Sequence, residues 1–461
     1  MNDAPANHPQ SSASPGSTAG AQADHAGHPR FAIAEGLRPM VLFVWAAVVG
    51  SIVGLVGAVF QLTLMAIAGW RDEMLAGFGP ESLLRWIVPV GFSAVCVYVA
   101  FVLVRRIAPE TGGSGVQEIE GALDDLRPLR WHRVLPVKFF GGILALSGGL
   151  VLGREGPTIQ MGGNLGKMIA DLFKLSRDDV HTLVAAGAGA GLSAAFNAPL
   201  AGILFVIEEM RPQFKYNFLS VHSVLIASAM SDIVLRMLMG QAPDITMASV
   251  PTPPLESLWI FPLLGVVFGV VGVVFNLVLV RTLDFFADMK GRSFALTGLY
   301  VGGAIGLLGT ISPDMVGGGY SVIPRALDES IPATMLLVVF FARFGTTMVS
   351  YGSGAPGGIF APMLALATVF GMWSGHFAHA WFPELVSHPH VLAVAGMGAL
   401  FSATVRAPLT GIALTIEMTA NYTLILPLII TCMVAAIVAQ GLGGRPIYSV
   451  LLRRTLDRAA R

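Results

Sequence analysis

The chain has 461 residues, of which 54% are hydrophobic and 12% are charged, and its formal net charge is zero. Because soluble domains carry about twice that charged fraction, the composition predicts one integral membrane domain instead of several soluble ones. Zero net charge gives no basis for binding nucleic acid. The two cysteines, Cys96 and Cys432, lie in apolar runs, so we expect buried side chains and neither a disulfide nor a metal cluster.

The first 30 residues are rich in Ala, Ser, Gly, Pro and His, and they contain no basic segment followed by an apolar core. This composition predicts a disordered tail over 1–30 and no signal peptide. We expect residues 31–461 to form a single transmembrane domain. The positive-inside rule places both termini in the cytoplasm because basic residues lie at both ends. They are Arg30 and Arg38 at one end, and Arg445, Arg453, Arg454, Arg458 and Arg461 at the other.

Long apolar runs follow the tail, and those near 20 residues are long enough to cross a bilayer as helices. Several runs are shorter or interrupted, so we expect roughly ten to eighteen helical segments, not all of which cross the bilayer fully. The main runs are Val41–Val49, Leu83–Val104, Leu258–Val280, Met335–Phe341 and Leu424–Val438.

Four glycine-rich segments interrupt the apolar sequence, and we number them in chain order. Irregular backbone at membrane depth is tolerated only where it is buried in protein or lines a cavity. A glycine-rich turn that leads into a helix presents free N–H groups to an anion. Close helix packing explains one such segment, but four segments with embedded polar side chains predict an anion pathway. They are Gly112–Gly115, Gly153–Pro157, Gly354–Pro362 and Gly441–Tyr448.

Hydroxyl groups lie in the first and fourth segments, on Ser114 and Tyr448, and each can donate one hydrogen bond to an anion. Between the first two segments, Glu120 and Lys138 are polar residues in apolar surroundings. We consider these two residues a structural ion pair.

Glu155 lies in the second segment, Gly153-Arg154-Glu155-Gly156-Pro157, directly after an apolar stretch. A charged side chain inside the bilayer is costly and usually functional. Burial favours its neutral form and nearby helix N-termini favour the carboxylate, so the residue is suited to gate both anions and protons. A salt bridge to Arg154 is the alternative, although adjacent helical side chains point about 100° apart.

An internal repeat relates residues 193–208 to residues 402–417, with nine of the sixteen positions identical. Repeats in transporters are often inverted, and the substrate site then lies near the bilayer midplane where broken helices meet. The sequence therefore predicts an all-α polytopic protein with two inverted-topology repeats. We place the first repeat at about 38–242 and the second at about 258–450, with a proline-rich boundary at 243–257 and a short C-terminal tail.

Two glutamates, Glu208 and Glu209, end the first copy of the repeat, and Glu417 is the repeat equivalent of Glu208. One of the pair is a candidate relay that passes protons to the interior. The alternative is a solvated or arginine-paired helix end.

No G-x-S-x-G, phosphate-binding or H-E-x-x-H motif occurs, and we expect no cofactor. A membrane-embedded enzyme, our third hypothesis, would need a nucleophile and a base that the sequence does not show.

Taken in order and spacing, these segments resemble the CLC family of chloride channels and chloride/proton antiporters over about residues 38–457. The matching elements are Gly113-Ser114-Gly115, the second segment with its continuation Thr158–Asn164, Gly358-Ile359-Phe360-Ala361-Pro362, and Tyr448. The resemblance implies a homodimer in the lipid bilayer with one pathway per subunit. It also implies chloride and protons as substrates.

The resemblance assigns roles to individual residues. It implies a central chloride held by the hydroxyls of Ser114 and Tyr448 and by the N–H groups of Ile359 and Phe360. The N–H groups around Arg154 and Gly156 would line an outer anion site.

Glu155 matches the outer gating glutamate of the family, and Glu209 matches the inner proton acceptor of antiporter members. A carboxyl group at the inner position favours exchange of two chlorides per proton. A passive voltage- or pH-gated chloride channel remains the alternative. Ser114 favours chloride over nitrate, and together with Tyr448 it argues against the fluoride-exporting branch.

The chain departs from the family pattern at Gln117, where the first motif usually has proline. The substitution adds an amide near the expected anion path. The short sequence after Tyr448 leads us to expect a protein of the bacterial inner membrane without the paired cytosolic regulatory domains of eukaryotic members.

Overall fold

The computed structural model describes residues 38–79, 81–210, 213–245, 247 and 251–459. The predicted tail, 1–30, lies outside the described residues. Within the described ranges the chain forms eighteen α-helices and no β-strand, which confirms the all-α class. They are α1 (Arg38–Ala76), α2 (Leu84–Arg106), α3 (Val116–Leu123), α4 (Trp131–Ser147), α5 (Glu155–Leu172), α6 (Arg177–Phe196), α7 (Pro199–Glu208), α8 (Phe218–Met239), α9 (Ile260–Asp288), α10 (Gly291–Ala295), α11 (Thr297–Ile311), α12 (Val322–Leu327), α13 (Ala333–Gly352), α14 (Phe360–Trp381), α15 (His390–Val405), α16 (Pro408–Thr419), α17 (Ile425–Gly441) and α18 (Ile447–Ala459). Short 3₁₀ helices lie at Pro109–Thr111, Leu255–Ser257, Pro313–Met315 and Tyr422–Leu424.

Six of the described helices, α1, α2, α8, α9, α13 and α17, are long and apolar enough to cross a membrane. Large apolar side chains such as Met65, Ile87 and Phe341 are exposed on them, as expected for helices that face lipid. The first ten residues of α14 and nearly all of α15 are buried instead, and so are most residues of α5 and α6. The protein is thus a multi-pass membrane protein, and the largely buried helices α5, α6, α14 and α15 form part of its interior.

The interior helices α5 and α6 pack with their backbones in close contact. A Cβ atom at Gly166 would lie 2.6 Å from the carbonyl carbon of Leu183, and one at Gly191 would lie 2.7 Å from that of Thr158. Glycines at a helix interface permit this close approach. The packing fixes the axis of α5 and therefore the position of its first residue, Glu155.

The sequence repeat is also a repeat in structure. Helices α6 and α15 are each followed directly by a residue in the left-handed conformation, Asn197 (φ +52°) and Arg406 (φ +73°). Each is followed by a short helix that begins at a proline, Pro199 in α7 and Pro408 in α16. Proline suits a first helical turn because the N–H it lacks has no partner there.

The two short helices α7 and α16 run antiparallel and hold each other's ends. Glu208 at the end of α7 accepts N–H hydrogen bonds from Leu409 (3.1 Å) and Thr410 (2.8 Å) at the start of α16. Glu417 near the end of α16 accepts N–H hydrogen bonds from Leu200 (2.9 Å) and Ala201 (2.7 Å) at the start of α7. Helices α7 and α16 are equivalent in the two repeats and run in opposite directions, as the predicted inverted topology requires. The boundaries given for the repeats stay predictions.

Candidate functional site

Three of the four glycine-rich segments are joined by backbone hydrogen bonds. In the first, Gly113 donates its N–H to Ala355 (3.1 Å) and accepts the N–H of Gly357 (3.1 Å). In the second, Gly153 exchanges two hydrogen bonds with Gly358, at 2.9 and 2.8 Å. The third segment therefore lies between the first and the second and holds both in place.

All four segments lead into the start of a helix, namely α3, α5, α14 and α18. The fourth segment reaches the others through Tyr448, whose ring centroid lies 5.7 Å from that of Phe360. Helix α18 also packs against α3. The predicted arrangement, in which glycine-rich turns lead into helix N-termini, is thus present.

Glycine is required where these segments meet. A Cβ atom at Gly156 would lie 2.8 Å from Cα of Gly358 and 2.9 Å from Cα of Ser114. Gly115, which precedes α3, has φ +84°, a conformation that side chains disfavour. The glycines thus allow three backbone segments to approach each other more closely than alanine would permit.

Glu155 is the first residue of α5 and is fully buried. One carboxylate oxygen, Oε1, accepts the backbone N–H of Phe360 at 2.8 Å, and the other, Oε2, has no hydrogen-bond partner among the described residues. The carboxylate therefore lies between the N-termini of α5 and α14. Helix N-termini favour an anion at this position.

Arg154 does not pair with Glu155, so the salt bridge given above as the alternative role of Glu155 is not formed. Its guanidinium instead contacts Asp244 (Nη2 to Oδ2, 2.5 Å) and donates from Nε to the carbonyl of Ala195 (2.8 Å). Adjacent positions at the helix start direct the two side chains apart, as the helical geometry predicts.

Ser114 and Tyr448 are buried, and their hydroxyls are close enough to interact with each other, but neither forms a well-aligned hydrogen bond with a described residue. Buried polar atoms without partners are rare, and each one calls for a physical explanation. Sequence reasoning missed a third hydroxyl, that of Tyr351, which accepts the N–H of Ser114 at 3.3 Å. Tyr351 lies near the end of an apolar helix, α13, and only its position just before the third segment gave any signal.

The predicted ion pair between Glu120 and Lys138 is wrong. Lys138 is fully buried, and its ammonium donates to the carbonyls of Thr111 (2.9 Å) and Gly113 (2.7 Å). Carbonyls satisfy the amine at this position, so it needs no carboxylate. Both carboxyl oxygens of Glu120 lack a hydrogen-bond partner within the described part of the chain. Lys138 thus supports the backbone next to Ser114.

The structure distinguishes between the two adjacent glutamates at the end of α7. Glu208 caps α16, as described above. Glu209 is 9% exposed and interacts electrostatically with Glu120. Tyr448 is close enough to interact electrostatically with both Glu155 and Glu209. Glu209 is therefore the better candidate for the proton relay. The alternative of an arginine-paired helix end concerns Arg211, which lies outside the described residues.

Gln117, the departure from the family pattern, lies in the first turn of α3 and is 7% exposed. Its side-chain oxygen has no hydrogen-bond partner among the described residues. The amide therefore adds a buried polar group two residues after Gly115.

The chain is similar to known proteins in sequence and in fold. The family described as voltage gated chloride channel matches residues 96–440. The H(+)/Cl(-) exchange transporter ClcA of Vibrio parahaemolyticus serotype O3:K6 is 51% identical over 428 residues, which cover 92% of this chain and 92% of the relative. The protein of the same name from Salmonella agona is 50% identical over 422 residues, which cover 91% of this chain and 89% of the relative.

Solved structures share the fold. A slow cyanobacterial Cl⁻/H⁺ antiporter is 45% identical with a TM-score of 0.89, and the match covers 91% of this chain and 99% of that one. A eukaryotic CLC transporter is 21% identical with a TM-score of 0.77, covering 91% and 74%. A CLC-type fluoride/proton antiporter is 19% identical with a TM-score of 0.70, covering 87% and 96%. The last two matches concern the fold alone.

Proposed function

The chain belongs to the voltage gated chloride channel family, as its glycine-rich segments predicted, and we propose that it exchanges chloride for protons across the inner membrane of a bacterium. The observation that carries the proposal is the position of Glu155. Its carboxylate lies where helix N-termini converge and accepts the N–H of Phe360. The relatives named H(+)/Cl(-) exchange transporter support the same activity.

Chloride binds in this proposal to partial charges only. The hydroxyls of Ser114 and Tyr448 and the N–H groups of Ile359 and Phe360 hold the central ion. The two buried hydroxyls support this role, because a chloride ion supplies a well-placed acceptor that the described residues do not. Binding through dipoles is weak enough for the ion to leave, which transport requires.

Glu155 acts as the gate by competing with chloride for the outer site. As a carboxylate it accepts a charge-assisted hydrogen bond from Phe360, and the N–H groups around Arg154 and Gly156 line the same site. Protonation removes the charge, weakens that hydrogen bond and lets the side chain leave. Chloride then takes the place of the carboxylate, so that proton and anion movements alternate.

Glu209 serves as the inner proton station. Its burial beside Glu120, and the proximity of Tyr448 to both Glu209 and Glu155, support a proton route that connects the two stations. We assign two chlorides to each proton. The chain functions as a homodimer, with one pathway in each subunit and both termini in the cytoplasm.

Reversal potentials of the purified protein in lipid bilayers test the proposal. When two chlorides exchange for one proton, three charges move per cycle, so a tenfold proton gradient shifts the potential by about 20 mV, a third of the 59 mV expected for one charge. A passive chloride channel, the alternative, shows no shift with pH. A potential that follows the chloride gradient alone would therefore refute exchange.

Two substitutions separate the proposed stations. Glu155→Gln should abolish proton coupling while chloride still moves, because glutamine cannot carry the proton. Glu209→Gln should stop proton flux and leave chloride flux. Asp72→Asn is a suitable control, since Asp72 is 71% exposed and its ion pair with the adjacent Arg71 is long, at 3.5 Å. Uphill proton transport driven by chloride in Glu209→Gln would contradict the role of the inner station.

A further inference from the structure

The segment that joins the two repeats places an acidic residue beside the gate. Asp244 lies in this segment and forms the ion pair with Arg154, the residue directly before Glu155. The two side chains are 18% and 13% exposed. Arg154 is also held by the carbonyl of Ala195, at the end of α6. The guanidinium is therefore fixed from two different parts of the chain.

A third part of the chain covers the face of the guanidinium. The central carbon of Arg154 lies 4.1 Å from the ring centroid of Tyr320, within the range of a cation–π contact. The loop before Tyr320 is itself fixed, because Arg343 is fully buried and donates to the carbonyls of Val316 (2.9 Å) and Gly317 (2.8 Å). Arg154 thus has a built site and is not a mobile surface arginine.

The joining segment is anchored on both sides of Asp244. Asn197 donates its side-chain amide to the carbonyl of Ala242 at 3.0 Å. Ile245 donates its N–H to the carbonyl of Met418, in α16, at 3.0 Å. Asp244 is therefore held in place by contacts from both repeats, so its pairing with Arg154 does not depend on a flexible linker.

We propose that Asp244 is a positioning residue for the gate, which neutralises the Arg154 guanidinium and so prevents it from stabilising the Glu155 carboxylate and from attracting external anions. The inference rests on the proposed role of Glu155. The ion pair has zero net charge. Without Asp244 a single positive charge would remain one residue from the gate, and positive charge favours a neighbouring carboxylate.

The other groups around Glu155 stay the same when Asp244 is replaced. Lys138 already donates to two carbonyls, and the remaining neighbours are tyrosines. The charged and titratable groups that face Glu155 from the elements packed against it are Arg154 at the start of α5, Lys138 on α4, Tyr320 before α12, Tyr351 on α13 and Tyr448 on α18, and Asp244 faces it through Arg154.

The charges predict opposite effects for the two partners. Asp244→Asn leaves one positive charge, so the carboxylate form of Glu155 persists to lower external pH. Arg154→Gln leaves one negative charge and has the opposite effect. The double variant is neutral again. We expect the external pH of half-maximal exchange to move by about half a unit or more in each direction, and to return close to the wild-type value in the double variant.

The experiment measures chloride exchange by the full-length protein in proteoliposomes as a function of external pH. Asp244→Asn should also lower the external chloride concentration needed for half-maximal exchange. Asp232→Asn is the matched control, since Asp232 is 9% exposed and pairs with Arg236 at 2.7 Å within α8. Shifts of the same sign in both single variants, no shift, or an equal shift in the control would overturn the inference.

Two further measurements keep the outcome interpretable. If Asp244→Asn does not insert or fold, Arg154→Gln alone still has to give a shift toward higher pH, and Asp244→Glu has to resemble the wild type. In the Glu155→Gln background, Asp244→Asn should produce no pH shift. If Glu155→Gln itself stays fully coupled to protons, the proposed function fails, independently of what Asp244 does.

Discussion

Replacing Gly156 with alanine tests whether the close approach of the helix N-termini carries the function. A Cβ atom at this position would lie 2.8 Å from Cα of Gly358 and 2.9 Å from Cα of Ser114. Carbon atoms make favourable contacts at about 3.5–4.0 Å, so the start of α5 has to move by about half an ångström or more. The obstacles are backbone atoms of two segments, which cannot rotate away as a side chain would.

The energetic consequence can be bounded. Overpacking of this kind costs about 1–3 kcal/mol. Alanine has a higher helix propensity than glycine, which offsets up to about 1 kcal/mol of that cost. We therefore expect a folded protein with modestly reduced stability. Its chloride affinity should fall about tenfold or more, because a loss of only about 1.4 kcal/mol in anion binding is sufficient for that.

Chloride exchange by Gly156→Ala in proteoliposomes, together with equilibrium chloride binding, measures the effect. Gly303→Ala is the control, because a Cβ atom at Gly303 in α11 meets only the Cβ of Ala94, at 3.9 Å. This control should exchange chloride at the wild-type rate. Wild-type affinity and exchange in Gly156→Ala would refute the reasoning that the spacing of these segments sets the anion site.

Other contacts lead to further predictions. Glu417→Gln and Glu208→Gln should each lower the free energy of unfolding by about 1–2 kcal/mol, because each removes a charged acceptor from a helix N-terminus, and a lower melting temperature in detergent would report it. An unchanged melting temperature in both would contradict reciprocal capping. Tyr351→Phe should weaken chloride binding several-fold, since the N–H of Ser114 loses its acceptor, and unchanged binding would show that this hydrogen bond does not position Ser114.

Much of the candidate site was predictable because its signals are local in sequence. Glycine-rich turns before apolar runs predict helix starts, and a glutamate in such a turn stands out because charge is expensive in a bilayer. The repeat, at residues 193–208 and 402–417, predicted paired halves before any contact was known. These features depend on composition and spacing, which the sequence states directly.

The contacts between distant segments were not predictable. From sequence alone, an amine in apolar surroundings suggests a carboxylate partner, which is why Glu120 is predicted to pair with Lys138. In the structure, the carbonyls of Thr111 and Gly113 accept the hydrogen bonds of the amine instead. Tyr351 was overlooked because an aromatic residue in an apolar helix is usually a packing residue. In both cases the partner lies far away in the sequence.

The sequence by itself determined the membrane class, the two halves, the four helix starts and the identity of Glu155 as a buried acid. Tertiary structure alone decided which of the adjacent glutamates caps a helix and which is buried near Glu120, and that Arg154 pairs with Asp244 and not with Glu155. The physical reason is that hydrogen bonds and ion pairs depend on distances of a few ångströms. Those distances are set by how the antiparallel repeats pack, and residue spacing along the chain does not contain them.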